Sequence, residues 1–130
     1  GSKCGLPHRD ADFWAIDQLP TLPEGDFSRT KLWMPILGCT KDNSLRVWPC
    51  SHNLDLESDY TVGDKKRPFI SEEKLSRMND YVVPSCVQGE YTLFDDLTVH
   101  HGPKNNNQTN DGFRISLETT LLLKKDSSSY

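Results

Sequence analysis

Three short patterns in this chain bring together residue types that can do chemistry. His8-Arg9-Asp10 sets a nitrogen donor and a carboxylate two positions apart. On an extended segment alternate residues share a face, so this pair could offer two ligands to one metal ion. His100-His101-Gly102 closes a β-prone run. Adjacent strand residues face opposite ways, so only one of these two imidazoles can point inward. Arg114-Ile115-Ser116 places a guanidinium and a hydroxyl on one strand face. That combination is a carboxylate receptor, with paired charge-assisted hydrogen bonds from the arginine. Each pattern also has a bland reading: a surface His beside a turn carboxylate, a solvated His pair, an exposed Arg paired with Glu118 or an aspartate.

These residues need a scaffold that carries an early pair to a late strand. The pattern is mostly β. Strands are expected over Arg29–Leu37, Ser44–Trp48, Asp80–Pro84, Glu90–Phe94, Leu97–His101 and Phe113–Leu123, with Pro35 marking an irregular or edge position. A helix is expected at Ser71–Leu75, where Ser precedes two Glu. Lys104 to Asp111 reads as a polar loop, and no internal repeat is present. Short strands at this spacing predict a sandwich or barrel. Lys41-Asp42-Asn43-Ser44 reads as a turn between two paired strands, setting Cys39 opposite Arg46 and Cys50 opposite Pro35. On that pairing Cys39 and Cys50 are not cross-strand partners and cannot bridge. The four cysteines show no CxxC spacing, and reduced thiols in the cytoplasm are expected.

Composition bounds the rest. The chain has 130 residues, 26% charged and 35% hydrophobic, with three Trp, four Tyr and five Phe. That is one folded domain rather than a disordered segment, with 3–125 as the domain, Gly1-Ser2 as a tag scar and 126–130 as a tail. A formal net charge of −4 argues against a general nucleic-acid or membrane-surface binder. No apolar run suits a transmembrane helix or a signal peptide.

Taken in order, the patterns resemble the iron(II)- and 2-oxoglutarate-dependent oxygenases, most closely the phytanoyl-hydroxylase-like group. Trp33-Met34-Pro35-Ile36 looks like that group's W-x-P-L strand, and Leu45-Arg46-Val47-Trp48-Pro49-Cys50-Ser51-His52 like its L-x-V-x-P-G-S-H segment. Gly89-Glu90-Tyr91-Thr92-Leu93-Phe94 looks like its G-D-x-x-x-F strand. His101-Gly102, then Asn105 or Asn106, then Arg114-Ile115-Ser116-Leu117-Glu118 look like its H-G-x-x-N…R-x-S segment.

The resemblance implies a mainly β fold, a double-stranded β-helix (a jelly-roll or cupin-like barrel) with one or two short helices. It implies His8, Asp10 and His101 as the iron ligands, His101 being preferred to His100 because the family His directly precedes the Gly. Arg114 and Ser116 would bind the far carboxylate of 2-oxoglutarate. The cofactors implied are Fe(II), 2-oxoglutarate and O2, with ascorbate as a stimulant, and the products succinate, CO2 and a hydroxylated small molecule. Trp14, Lys31, Trp33, Arg46 and Trp48 are the candidate substrate residues. His52 is expected to be structural, Lys65-Lys66-Arg67 a solvated run, and the Asn107-Gln108-Thr109 sequon unused.

Two departures stand out. Cys50 replaces the usual Gly, so the local turn is expected to differ if that position needs a positive φ. The HxD pair also sits near the start of the chain, so the N-terminal part of the family fold is expected to be absent. Two other readings keep the scaffold: a non-redox metal cupin (an isomerase or lyase), and a catalytically silent small-molecule-binding module.

Overall fold

The computed structural model of the protein describes residues 5–16, 26–63, 66–102 and 114–125. The expectations for Gly1-Ser2, Cys4, Lys65, the Lys104 to Asp111 loop with Asn105, Asn106 and the sequon, Phe113 and the 126–130 tail lie outside these residues. In chain order the elements are α1 (Asp10–Ile16), β1 (Phe27–Leu37), β2 (Arg46–Val47), a 3-10 turn (Ser51–Asn53), β3 (Asp59–Tyr60), β4 (Pro68–Phe69), α2 (Glu72–Leu75), β5 (Thr92–Asp95), β6 (His100–His101) and β7 (Ile115–Lys124). The fold is mainly β, with antiparallel pairing between its strands and a jelly-roll-like arrangement.

β1 organises the molecule. Its β-branched and aromatic residues favour a pleated strand, and its burial alternates: Lys31, Trp33 and Pro35 are buried while Leu32 and Met34 are half-buried. It lies between β5 and β7. Opposite residues in an antiparallel pair share a face. Lys31↔Thr120, Trp33↔Glu118 and Pro35↔Ser116 therefore direct Thr120, Glu118 and Ser116 to the same inner face. Pro35 is tolerated in this central strand because the last β1–β5 pair is Trp33↔Thr92, and the β7 register shifts between Pro35 and Leu37.

The second layer is the β2–β6 pair, with Arg46 opposite His101 and Val47 opposite His100. It carries a core cluster on each face. Leu45 and Val47 pack with Trp33 and Phe94, joining this pair to the β5–β1–β7 sheet. Trp48 and Val99 pack with Ile70 on the other side, flanked by Leu56, Leu75 and Met78.

The Lys41–Ser44 turn is present, but it does not close a hairpin. β1 pairs with β5 and β7, and β2 pairs with β6, so the expected pairings of Cys39 with Arg46 and Cys50 with Pro35 do not form. The turn instead passes the chain from one sheet to the other. Gly38 takes φ 66° there, and the buried Asn43 ties the corner. Asn43 Oδ1 accepts from the Thr40 N–H at 2.8 Å, and Asn43 Nδ2 donates to the Gly38 carbonyl at 3.0 Å. Cys39, Cys50 and Cys86 are free thiols.

Of the expected Asp80–Pro84 strand, only Val82 pairs, as an isolated bridge to Val47. Cys50 takes φ 61°, so the turn keeps the left-handed position that a glycine would favour. α1 and the β3–β4 hairpin were not expected from the sequence. Among the described residues, no helix is long and apolar enough to cross a membrane.

Candidate metal centre

The segment before α1 pairs by its backbone with β6. The His8 N–H donates to the His100 carbonyl at 3.1 Å, and the His100 N–H donates to the His8 carbonyl at 3.0 Å. This two-way bridge puts the His8 and His100 rings 4.5 Å apart between centroids. Asp10 follows as the first residue of α1, a helix held by the Ala11 N–H on the Asp96 carbonyl at 3.0 Å and by paired Arg9–Asp12 hydrogen bonds at 2.9 Å. His8, Asp10 and His100 each offer one ligand atom, and the three atoms lie within 4.8 Å of one another.

Backbone contacts set both imidazole tautomers. His8 Nδ1 lies 2.7 Å from the Leu6 carbonyl, and His100 Nδ1 lies 3.0 Å from the Thr98 carbonyl. A carbonyl only accepts, so each Nδ1 carries the proton and each Nε2 lone pair is free in the neutral ring. Asp10 Oδ1 stands 3.4 Å from His8 Nε2 and 3.5 Å from His100 Nε2. His100 Nε2 is buried and makes no hydrogen bond, which is costly for a polar atom unless something else satisfies it. Two imidazole nitrogens and one carboxylate oxygen suit a divalent transition-metal ion bound on one side with the other positions open.

The surrounding charges favour an ionised Asp10. Burial works to raise its pKa, but the His100 and His8 imidazoles and the Lys31 ammonium hold it well below the usual carboxylate range. For His8, burial opposes charge, yet the Asp10 carboxylate and the Leu6 carbonyl outweigh it and raise the pKa above 6.5. Lys31 Nζ lies 2.7 Å from Asp10 Oδ2, 3.2 Å from Glu118 Oε1 and 3.3 Å from Thr120 Oγ1. Its pKa is raised: burial acts against the charge, and Asp10 and Glu118 more than offset it.

His101 is not part of this cluster. It sits opposite Arg46 on the other face of the β2–β6 pair, and its pKa is lowered first by burial and then by the Arg46 charge. The preference for His101 rested on its adjacency to Gly102. The strand alternation overrides it, because Val47 faces the inner core and its partner His100 therefore faces inward too. The HxD pair is also not one extended run, since Asp10 already begins α1.

Arg114 and Ser116 lie at the start of β7, both half-buried. Arg114 Nη1 donates to the Asn43 carbonyl. A side chain at Gly102 would come within 3.2 Å of Arg114 Nη2, so the glycine makes room for the guanidinium.

The five candidate substrate residues divide. Lys31 touches the cluster through Asp10. Trp33 and Trp48 are buried in the two core clusters. Trp14 lies under the Arg29 guanidinium, 5.4 Å from its ring centroid, and Arg46 lies over the Tyr81 ring at 4.7 Å. His52 is exposed on the 3-10 turn, and Lys66 and Arg67 are exposed. A cavity of about 330 Å³ adjoins His8, walled by Leu6, Phe13 and Pro68 with Arg67 at its lining.

Sequence reasoning missed His100 as the inward ring, and it read Glu118 only as a surface partner for Arg114. The first becomes readable only with the register that pairs Val47 with His100. Glu118 shares parity with Arg114 and Ser116, which carried the signal for the second.

The His-Asp-His cluster lies on the inner side of a jelly-roll-like β scaffold, with three ligand atoms close enough together to hold a metal ion. The chain belongs to the phytanoyl-CoA dioxygenase (PhyH) family, whose family model matches residues 2–115. That is a family of dioxygenases that use Fe(II) and 2-oxoglutarate. No curated protein and no solved structure matches the chain.

Proposed function

We propose that this protein is an Fe(II)- and 2-oxoglutarate-dependent dioxygenase that hydroxylates a small molecule. The observation that carries the reading is the buried, unpartnered His100 Nε2, which faces the same point as His8 Nε2 and Asp10 Oδ1. His8, Asp10 and His100 would hold the iron, with His100 in the place first given to His101. The chemistry that bound iron and 2-oxoglutarate supply is activation of O2, with release of succinate and CO2 and hydroxylation of a C–H bond.

The protein's own part is positioning. The Leu6 and Thr98 carbonyls fix both rings with Nε2 forward. Arg114 and Ser116 would take the far carboxylate of 2-oxoglutarate, a charge that could not be buried without a cation. The cavity beside His8, at about 330 Å³, is at the small end of ligand sites, and is the proposed seat of the substrate. The free thiols Cys39, Cys50 and Cys86 support a cytoplasmic setting.

Anaerobic addition of Fe(II) and 2-oxoglutarate should give a weak visible charge-transfer band. Arg114→Ala should keep iron but lose the band, because breaking a buried charge pair costs about 3–5 kcal/mol, or roughly 10²–10⁴ in affinity. Succinate release with ascorbate present is the activity assay. A wild-type protein that takes up neither Fe(II) nor Mn(II) would overturn the reading.

A further inference from the structure

We infer that Lys31 is a positioning residue that keeps the metal's coordination sphere open, by holding the second oxygen of Asp10 and the carboxylate of Glu118 away from the ion. The inference rests on the proposed metal site. It concerns a residue that contributes no ligand.

The geometry separates the two oxygens of Asp10. Oδ1 faces both imidazole Nε2 atoms, at 3.4 Å and 3.5 Å. Oδ2 lies 2.7 Å from the Lys31 ammonium and accepts no aligned hydrogen bond. This is a contact of charge, and it leaves Asp10 one oxygen to give. A carboxylate without such a partner can turn and bind through both oxygens.

Glu118 is the second group to be restrained. Its Oε1 lies 3.9 Å from His100 Nε2. It stands beside the cluster without joining the three ligand atoms that lie within 4.8 Å of one another, and a turn of its side chain toward His100 would bring a further carboxylate oxygen to an ion bound there. It is drawn instead to Lys31 Nζ at 3.2 Å. Lys31 is fixed in turn: it is buried in the middle of β1, directly opposite Thr120, whose hydroxyl is 3.3 Å from Nζ. One ammonium thus engages the two carboxylate oxygens best placed to fill extra positions on the metal. A facial set of three protein ligands leaves about three positions open. A site that must admit a chelating co-substrate and O2 needs those positions free.

The test uses Mn(II) as the probe, with the number of exchangeable waters on the bound ion read by proton relaxation and electron paramagnetic resonance. The wild type should carry about three waters. Lys31→Met should bind Mn(II) at least about tenfold more tightly, since a cation leaves and carboxylate oxygens join, and should carry only about one or two waters. Lys31→Gln, neutral but able to keep the Thr120 contact, should behave likewise if Lys31→Met folds poorly. Lys31→Arg should keep the wild-type count. Adding Glu118→Gln to Lys31→Met should restore at least one water, a rescue that a purely structural lysine would not show. Unchanged water numbers, or weaker Mn(II) binding in both neutral variants, would overturn the inference while leaving the metal site standing. A wild type that takes up no ion would overturn both.

Discussion

The Nδ1 proton of His100 goes to the Thr98 carbonyl, which leaves a buried Nε2 with only the cluster to face. His101, one residue on, faces Arg46. Opposite outcomes are expected from substituting the two. His100→Ala should weaken Mn(II) or Fe(II) binding by ~100-fold or more, because on the proposed reading it removes a ligand rather than a supporting partner. His101→Ala should change it less than about threefold; titration calorimetry on both variants decides.

His8 supplies a pH dependence. Its pKa is raised above 6.5 in the metal-free protein, so the proton and the metal compete for Nε2. The sign follows from linkage. The stability that the protonated ring contributes to the metal-free protein is full below 6.5 and is lost as pH rises through the higher folded value. The rise in Tm produced by Mn(II) should therefore grow between about pH 6 and about pH 8. Calorimetry in buffers of different ionisation enthalpy should show proton release near neutrality. His8 and Asp10 were legible from their spacing. His100 was not, because parity along a strand needs a register, and a rule of adjacency to Gly102 stood in for one.

Among the elements, legibility followed length. β1 and β7 have long enough β-prone runs to be read directly, and their observed bounds differ by a few residues at most from those expected. β2, β3, β4 and β6 have two residues each, too few to show a period. The Lys41–Ser44 turn was read, but its partners were not. A turn motif fixes local geometry, and the choice between hairpin and crossover lies with Trp33, Phe94, Leu45 and Val47 meeting across two layers. α1 escaped because the HxD pair was read as extended, although Asp10 and Asp12 in a first helical turn are favourable there.

The turn at Cys50 yields a prediction at this scale. A non-glycine residue at φ 61° bears a steric cost of about 1–2 kcal/mol, partly offset in a glycine variant by about 0.5–1 kcal/mol of backbone entropy. Cys50→Gly should stabilise the protein by roughly 0.5–1 kcal/mol in urea unfolding, with metal affinity unaltered.

Across the whole molecule, the order of the motifs along the chain indicated which segments had to meet, and the meeting itself is long-range. The first described segment is gripped from two sides: the Pro7 carbonyl accepts from the Ile70 N–H at 2.7 Å, and His8 exchanges two hydrogen bonds with His100. Sequence could say that an early His/Asp pair and a late His belong together. It could not say that a backbone ladder, rather than side chains alone, would join them.

That ladder would make an ion bound at the proposed site a clasp. Two of its three proposed attachment points are the residues whose amides close the β-bridge, so an ion there would staple the leading stretch of chain to the penultimate strand of the sheet layers. Peeling that stretch away would require releasing the ion first. Amide exchange at His8 and His100 should therefore slow when Mn(II) is added, with the amides of the β3–β4 hairpin unaffected. Trypsin cleavage after Arg9 should slow in step. How firmly the chain's leading stretch is fastened would then report how fully the protein is loaded.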